Sequence, residues 1–147
     1  MIYTALTKKA LKLCFEAHKD QVDKAGIPYV FHPFHLAEQM DDEISCCVAL
    51  LHDVAEDTEV TLDELAKNFP QEVIEALKLL THEKDTDYFE YVRRIKDNPT
   101  AKKVKLADLA HNMDRSRIVD SSAVSAEKLN KWDEKYSKAM EILTREI

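Results

Sequence analysis

The chain has 147 residues, enough for one domain that buries roughly 70% of the surface its unfolded form exposes. With 28 acidic against 21 basic residues its formal net charge is -7, which argues against nucleic acid or an anionic membrane surface as a partner. A single glycine, Gly26, argues against a hairpin-rich β fold, and a sequence rich in alanine, leucine, lysine and glutamate favours helices.

Cys14, Cys46 and Cys47 are odd in number, lack C-x-x-C spacing and sit in apolar helical patterns. Reduced core thiols are expected, not a disulfide frame or a zinc site. No apolar run nears the roughly 18 residues of a membrane span and no signal-peptide pattern is visible, so a soluble cytoplasmic protein is expected.

The first predicted helix covers residues 4–20, where Ala5, Leu6, Ala10, Leu13, Cys14 and Ala17 recur at helical spacing. His18 follows and reads as a structural or surface histidine, not a ligand. The stretch Asp23 to Pro33 holds the glycine and two prolines, yet Ile27, Tyr29, Val30 and Phe31 fill it, which marks an ordered loop. His32 precedes Pro33, a position biased away from helical dihedrals, and is placed just outside a helix from Pro33 to about Met40. His35 on that helix reads as a surface or hydrogen-bonding histidine. A continuous helix is predicted over 44–55.

Thr61 to Glu64 forms a capping box opening a short helix to Phe69, and Pro70 starts the next, through Val73, Ile74, Leu77 and Leu80. Residues 81–87 form a polar connector with an exposed His82. Tyr88, Tyr91, Val92 and Ile95 mark a further helix, and Asn98-Pro99 opens another that runs to Met113. In a last helix over 125–145, Leu129, Trp132, Tyr136, Met140 and Leu143 form a stripe suited to core packing or a dimer face more than to ligand binding. The reading is one all-α domain over residues 1–147.

Two segments carry charge among apolar neighbours. In Ala49-Leu50-Leu51-His52-Asp53-Val54-Ala55-Glu56-Asp57, helical geometry would make His52 and Glu56, and Asp53 and Asp57, face neighbours. Burying such groups unpartnered is costly, and a divalent cation would satisfy several at once. A solvated helix end with ordinary acids is the competing reading. Asp108 lies in a helix apolar almost all round and also needs a partner, with His111 three residues on and Asn112 one turn on. His32, His52, Asp53 and Asp108 are therefore the candidate ligands. Two imidazoles with two carboxylates suit Mn²⁺, Fe²⁺ or Zn²⁺ better than Ca²⁺ or Mg²⁺. Glu56 and Asp57 lie where they can orient or deprotonate a water.

With these segments in order, the chain resembles the HD-domain metal phosphohydrolases, specifically the RelA/SpoT-like hydrolase domain and its small stand-alone relatives. The resemblance rests on Ala17-His18-Lys19-Asp20-Gln21, on Gly26-Ile27-Pro28-Tyr29-Val30-Phe31-His32-Pro33, and on Leu50-Leu51-His52-Asp53-Val54-Ala55-Glu56-Asp57-Thr58. Val104-Lys105-Leu106-Ala107-Asp108 with Asn112-Met113 completes it. It implies an HD-type helical bundle that binds Mn²⁺, or another divalent transition metal, through His32, His52, Asp53 and Asp108. It implies Glu56 and Asp57 as the acidic pair that activates water, and Lys24, Tyr29 and Asn112 as contacts to a small-molecule nucleotide substrate. The implied reaction removes the 3′-pyrophosphate of ppGpp or pppGpp and leaves GDP or GTP. The chain is too short for the synthetase domain of the long relatives, so hydrolysis alone is expected.

Two positions depart from that family. Asp23 stands where those hydrolases commonly carry arginine, and Asp114 where an arginine often follows Asn-Met. Arg115, Arg117, Lys102, Lys103 and Lys105 are the cations that could compensate. An HD hydrolase of another nucleotide or phosphorylated metabolite is one competing function. A metal-bound module that senses a nucleotide without turnover is the other, and the retained Glu56 and Asp57 weigh against it.

Overall fold

The chain is helical throughout the residues described, 1–118 and 125–145, of this computed structural model. In chain order come α1 (Ala5–His18), α2 (Phe31–Glu38), α3 (Glu43–Leu51), α4 (Val54–Asp57) and α5 (Leu62–Ala66). They are followed by α6 (Gln71–Leu80), α7 (Tyr88–Ile95), α8 (Pro99–Asn112), a 3₁₀ turn (Arg115–Arg117) and α9 (Ala126–Thr144). The all-α expectation holds: the only β pairing among the described residues is an isolated bridge between Val22 and Pro28. The parts of the domain read over 1–147 that fall at 119–124 and 146–147 lie outside the described residues.

Packing is centred on α3. Cys46, Cys47, Val48, Ala49, Leu50 and Leu51 are consecutive and all fully buried, the pattern of a helix enclosed on every side. It touches α1, α2, α6 and α8, and Asp42 caps its start by accepting the Ser45 N–H at 2.8 Å. The three cysteines are free and buried, and burial pushes the Cys14 and Cys47 thiols up to about 12, so they serve as small apolar groups. No helix among the described residues is long and apolar enough to cross a membrane.

Three local expectations change, and two of them place the site. First, His32 is inside a helix, because α2 begins at Phe31. Pro33 then falls in the first turn, where backbone N–H groups have no intrahelical acceptor and a proline removes nothing. Second, the helix predicted over 44–55 is two helices. The chain leaves helical geometry at Asp53 (φ -107°, ψ 0°), with His52 closing α3 and α4 starting a fresh turn. His52 and Glu56 are thus not neighbours on one helix face, whereas Asp53 and Asp57 stay linked by the Asp57 N–H donating to the Asp53 carbonyl at 2.9 Å. Third, His82 is half-buried, its ring stacked on Tyr91 with centroids 4.6 Å apart.

Because α3 fills the centre of the core, Leu50→Ala should lower the unfolding free energy by about 2–5 kcal/mol in a denaturant titration. A loss under about 1 kcal/mol would contradict the central place of this helix.

Candidate functional site

The break after α3 aims two consecutive side chains at one point. His52 Nδ1 lies 2.7 Å from the Ala49 carbonyl oxygen, which only accepts, so that nitrogen carries a proton. The opposite nitrogen, Nε2, is buried and faces two carboxylates, 2.9 Å from Asp53 Oδ2 and 3.6 Å from Asp108 Oδ1. From α2, His32 Nε2 reaches the same Asp108 oxygen at 2.8 Å. The four residues singled out from sequence therefore meet, from α2, the α3–α4 turn and α8.

Their electrostatics ask for positive charge at the meeting point. Burial alone would lower the His52 pKa, but Asp53 and Asp108 reverse that and hold it well above the usual histidine value. Burial likewise works against the charge on Asp108, and Lys105, His32 and His52 outweigh it, keeping the carboxyl well below the usual range. With a neutral His52, a ring lone pair would face two carboxylate oxygens with no donor among them. A divalent metal ion resolves that conflict, and the nitrogen and oxygen donors of His32, His52 and Asp53 lie within 4.8 Å of one another. These residues can hold a divalent metal.

Each donor is held from behind. His32 Nδ1 and His111 Nδ1 are 2.7 Å apart, with ring planes 5° apart and centroids separated by 4.9 Å. Face-stacked rings could not bring two nitrogens so close, so the two imidazoles lie edge to edge in one plane and share an N–H···N bond. When His111 accepts, His32 is fixed as the tautomer whose Nε2 lone pair faces the site. Burial, together with the charge of Arg117, lowers the His111 pKa to about 4, which suits an acceptor. The Tyr29 hydroxyl donates to Asp53 Oδ2. Lys105 donates to Asp108 Oδ2 at 2.9 Å, and Asn112 Nδ2 donates to Asp108 Oδ1 at 3.2 Å. Tyr29 and Asn112 thus contact the acidic donors directly, while also lining the adjoining cavity. Sequence reasoning noted His111 only by spacing and missed its bond to His32.

Glu56 and Asp57 sit one turn past Asp53, and an oxygen of each lies within 4.8 Å of an Asp53 oxygen. Burial and the neighbouring Asp53 raise both pKa values above the ordinary carboxylate range. The backbone N–H of His82 donates to Glu56 Oε1 at 3.1 Å, so the 81–87 connector orients this carboxylate. Asp57 is fixed through its carbonyl, which accepts from Gln21 Nε2 at 3.0 Å.

A cavity of about 340 Å³ opens beside these groups. Its walls carry five carboxylates, Asp23, Asp53, Asp57, Asp108 and Asp114, against two cations, Lys24 and Arg117. Asp23 does structural work: its Oδ1 accepts from the Ala25 and Ile27 N–H groups at 2.8 and 3.0 Å, shaping the turn where Gly26 adopts φ +81°. Its other oxygen pairs with Arg117 Nη2 at 2.6 Å, so Arg117 neutralises Asp23 within the wall. Asp114 accepts from the Ser116 N–H at 3.0 Å, opening the 3₁₀ turn. Of the other cations, Lys105 is committed to Asp108, Lys103 pairs with Asp41 and Asp42, and Arg115 pairs with Asp133 on α9. Along the α9 stripe Leu143 is fully buried, Met140 and Tyr136 pack against the core, and Trp132 and Tyr136 line the cavity. Against the expectation that the stripe suits core packing or a dimer face more than ligand binding, Trp132 lies outside the buried core and borders the cavity.

The HD domain profile matches residues 10–117, most of the chain. The chain belongs to the HD domain family. A guanosine-3′,5′-bis(diphosphate) 3′-pyrophosphohydrolase of Borreliella burgdorferi is 34% identical over 71% of this chain, and one of Mus musculus is 34% identical over 67%. A GTP pyrophosphokinase rsh of Brucella melitensis is 33% identical over 74%. The chain spans only part of these HD relatives: 18%, 64% and 16% of their respective lengths. Among solved structures, a metazoan ortholog of SpoT, described as hydrolysing ppGpp and as playing a role in starvation responses, superposes with a TM-score of 0.82. That likeness covers 98% of this chain and 88% of the other at 24% identity, and it establishes the shared helical fold.

Mn²⁺ binding, read from the paramagnetic resonance signal of the free ion, should disappear in Asp108→Ala. It should weaken about 10–100-fold in His111→Leu, which removes the acceptor behind His32. His111→Asn, whose side-chain oxygen can stand where Nδ1 stands, should retain most of the affinity. Equal binding by the leucine variant would remove His111 from this role.

Proposed function

We propose that this HD-family chain is a metal-dependent nucleotide phosphohydrolase acting on ppGpp, releasing the 3′-pyrophosphate and leaving GDP. The observation that carries the reading is the convergence of two imidazole nitrogens and two carboxylates, one nitrogen buried without a donor or cation, at the edge of a nucleotide-sized cavity. The names of the relatives supply the substrate.

His32, His52, Asp53 and Asp108 are the residues that would hold the ion, with Mn²⁺ the choice that suits a mixed nitrogen and oxygen donor set. When bound, the ion supplies Lewis-acid polarisation of the phosphoryl group. The remaining work falls to the chain. Asp57 faces the cavity and Glu56 is aimed by the His82 N–H, and with raised pKa values both are suited to take a proton from the attacking water. The water oxygen bonds to the phosphorus attached to O3′, the P–O3′ bond breaks, and the 3′ oxygen takes up a proton. Lys24, Tyr29 and Asn112 bound the space for the nucleotide, and Tyr29 and Asn112 also steady Asp53 and Asp108.

The excess of carboxylates in the wall favours a second reading, an HD hydrolase for a nucleotide with fewer phosphates than ppGpp. Incubation with Mn²⁺ and a panel of ppGpp, GTP, NADPH and nucleoside monophosphates separates the two by which substrate turns over. Glu56→Gln should keep Mn²⁺ bound while lowering turnover about 100-fold or more. An unchanged rate would remove Glu56 from proton transfer, and metal bound with no turnover across the panel would favour a sensor.

A further inference from the structure

Trp132 is the sole tryptophan of the chain and stands on the wall of the cavity that the His52–Asp53 cluster adjoins. It is half-buried and lies outside the buried core, although it continues the stripe whose far end is Leu143. The partner on its ring face is Lys24, whose ammonium lies 3.9 Å from the ring centroid and 3.5 Å from the Tyr136 hydroxyl. Lys24 belongs to the loop turned by Asp23 and Gly26, and its long unbranched side chain can swing away without disturbing that turn. Beneath it is an indole face open to a cavity whose other walls carry five carboxylates.

Resting on the phosphohydrolase reading above, we propose that Trp132 is the base-stacking residue of the site. A purine base lies on the indole in place of the Lys24 ammonium while the phosphoryl end lies at the His52–Asp53 cluster. Three features support this division of the cavity. The carboxylate-rich end attracts a phosphoryl group only through a cation, whereas an indole has no use for phosphate and gains most from a flat π-system. Arg117, the second cation of the wall, is held by Asp23 at 2.6 Å and donates to the His111 carbonyl at 2.9 Å, which leaves little of its charge for phosphate. Finally, Tyr136, one helical turn from Trp132, continues the aromatic surface along α9 inside the same cavity.

The sole tryptophan makes the test direct. In the full chain, excited at the red edge where guanine does not absorb, Trp132 fluorescence should be quenched saturably by GDP and left unchanged by ribose 5-phosphate or pyrophosphate. Trp132→Leu should raise KM about 10–100-fold with kcat changed less than about twofold, and Trp132→Phe should recover most of the loss, since it restores a stacking face. Thermal melts check that each variant is folded. Turnover of a nucleotide with unaltered KM in Trp132→Leu would overturn the stacking role, as would quenching by ribose 5-phosphate equal to that by GDP, or no quench by GDP at all. Quenching by GDP without turnover of any nucleotide would leave the stacking role standing and count against the hydrolase reading instead.

Discussion

The structure is governed by how much negative charge is buried around His52 and Asp108 and how little water is left to screen it. Asp108 is only 5% exposed, and four neighbours address its two oxygens: Lys105 on one side, and His32, His52 and Asn112 on the other. Lys105 is itself enclosed, and burial would discharge it were Asp108 and the nearby Tyr91 and Tyr88 not holding its pKa well above normal. Neither member of the pair would remain charged at such depth alone. The fold supplies the meeting place. α3 occupies the centre, ends at Leu51, and the reversal at Asp53 turns two polar side chains toward α8, whose own start is set by Asn98 accepting from the Ala101 N–H at 3.0 Å.

The wall of the cavity beside this cluster carries carboxylates and aromatic rings together. Two aspartates of that wall, Asp23 and Asp114, behave differently from one another. Asp23 is tied into the loop and cancelled by Arg117, while Asp114 opens a 3₁₀ turn and keeps its charge at the wall, its carboxyl held below the usual range by Ser116.

What was legible in the sequence and what was not follow from range. Asn98-Pro99 signals the start of α8 through neighbours in sequence, and the burial of Asp53 and Asp108 can be read from the apolar residues on either side. The break at His52–Asp53 has no glycine or proline to announce it, because it is imposed by tertiary partners: the Tyr29 hydroxyl on Asp53 and the opposing face of α8. Arg117 and Asp23 are separated by 94 positions, and His32 and His111 by 79, so neither pairing leaves a local trace. The α9 stripe shows a related limit. Trp132 and Tyr136 share the three- and four-residue spacing of Met140 and Leu143, and periodicity cannot tell a core neighbour from a cavity.

The loop between α1 and α2 is fastened at three points that belong to different parts of the molecule. Gln21 holds the Asp57 carbonyl, Asp23 holds Arg117 beyond the end of α8, and Lys24 rests on Trp132 and Tyr136 of α9. A segment of little more than ten residues with one glycine thus ties α4, the chain beyond α8 and α9 together around one cavity. Such an arrangement acts as a ruler. Through Gln21 and Asp23 it fixes how far the Asp57 turn stands from the chain beyond α8, and so sets one dimension of the cavity between them.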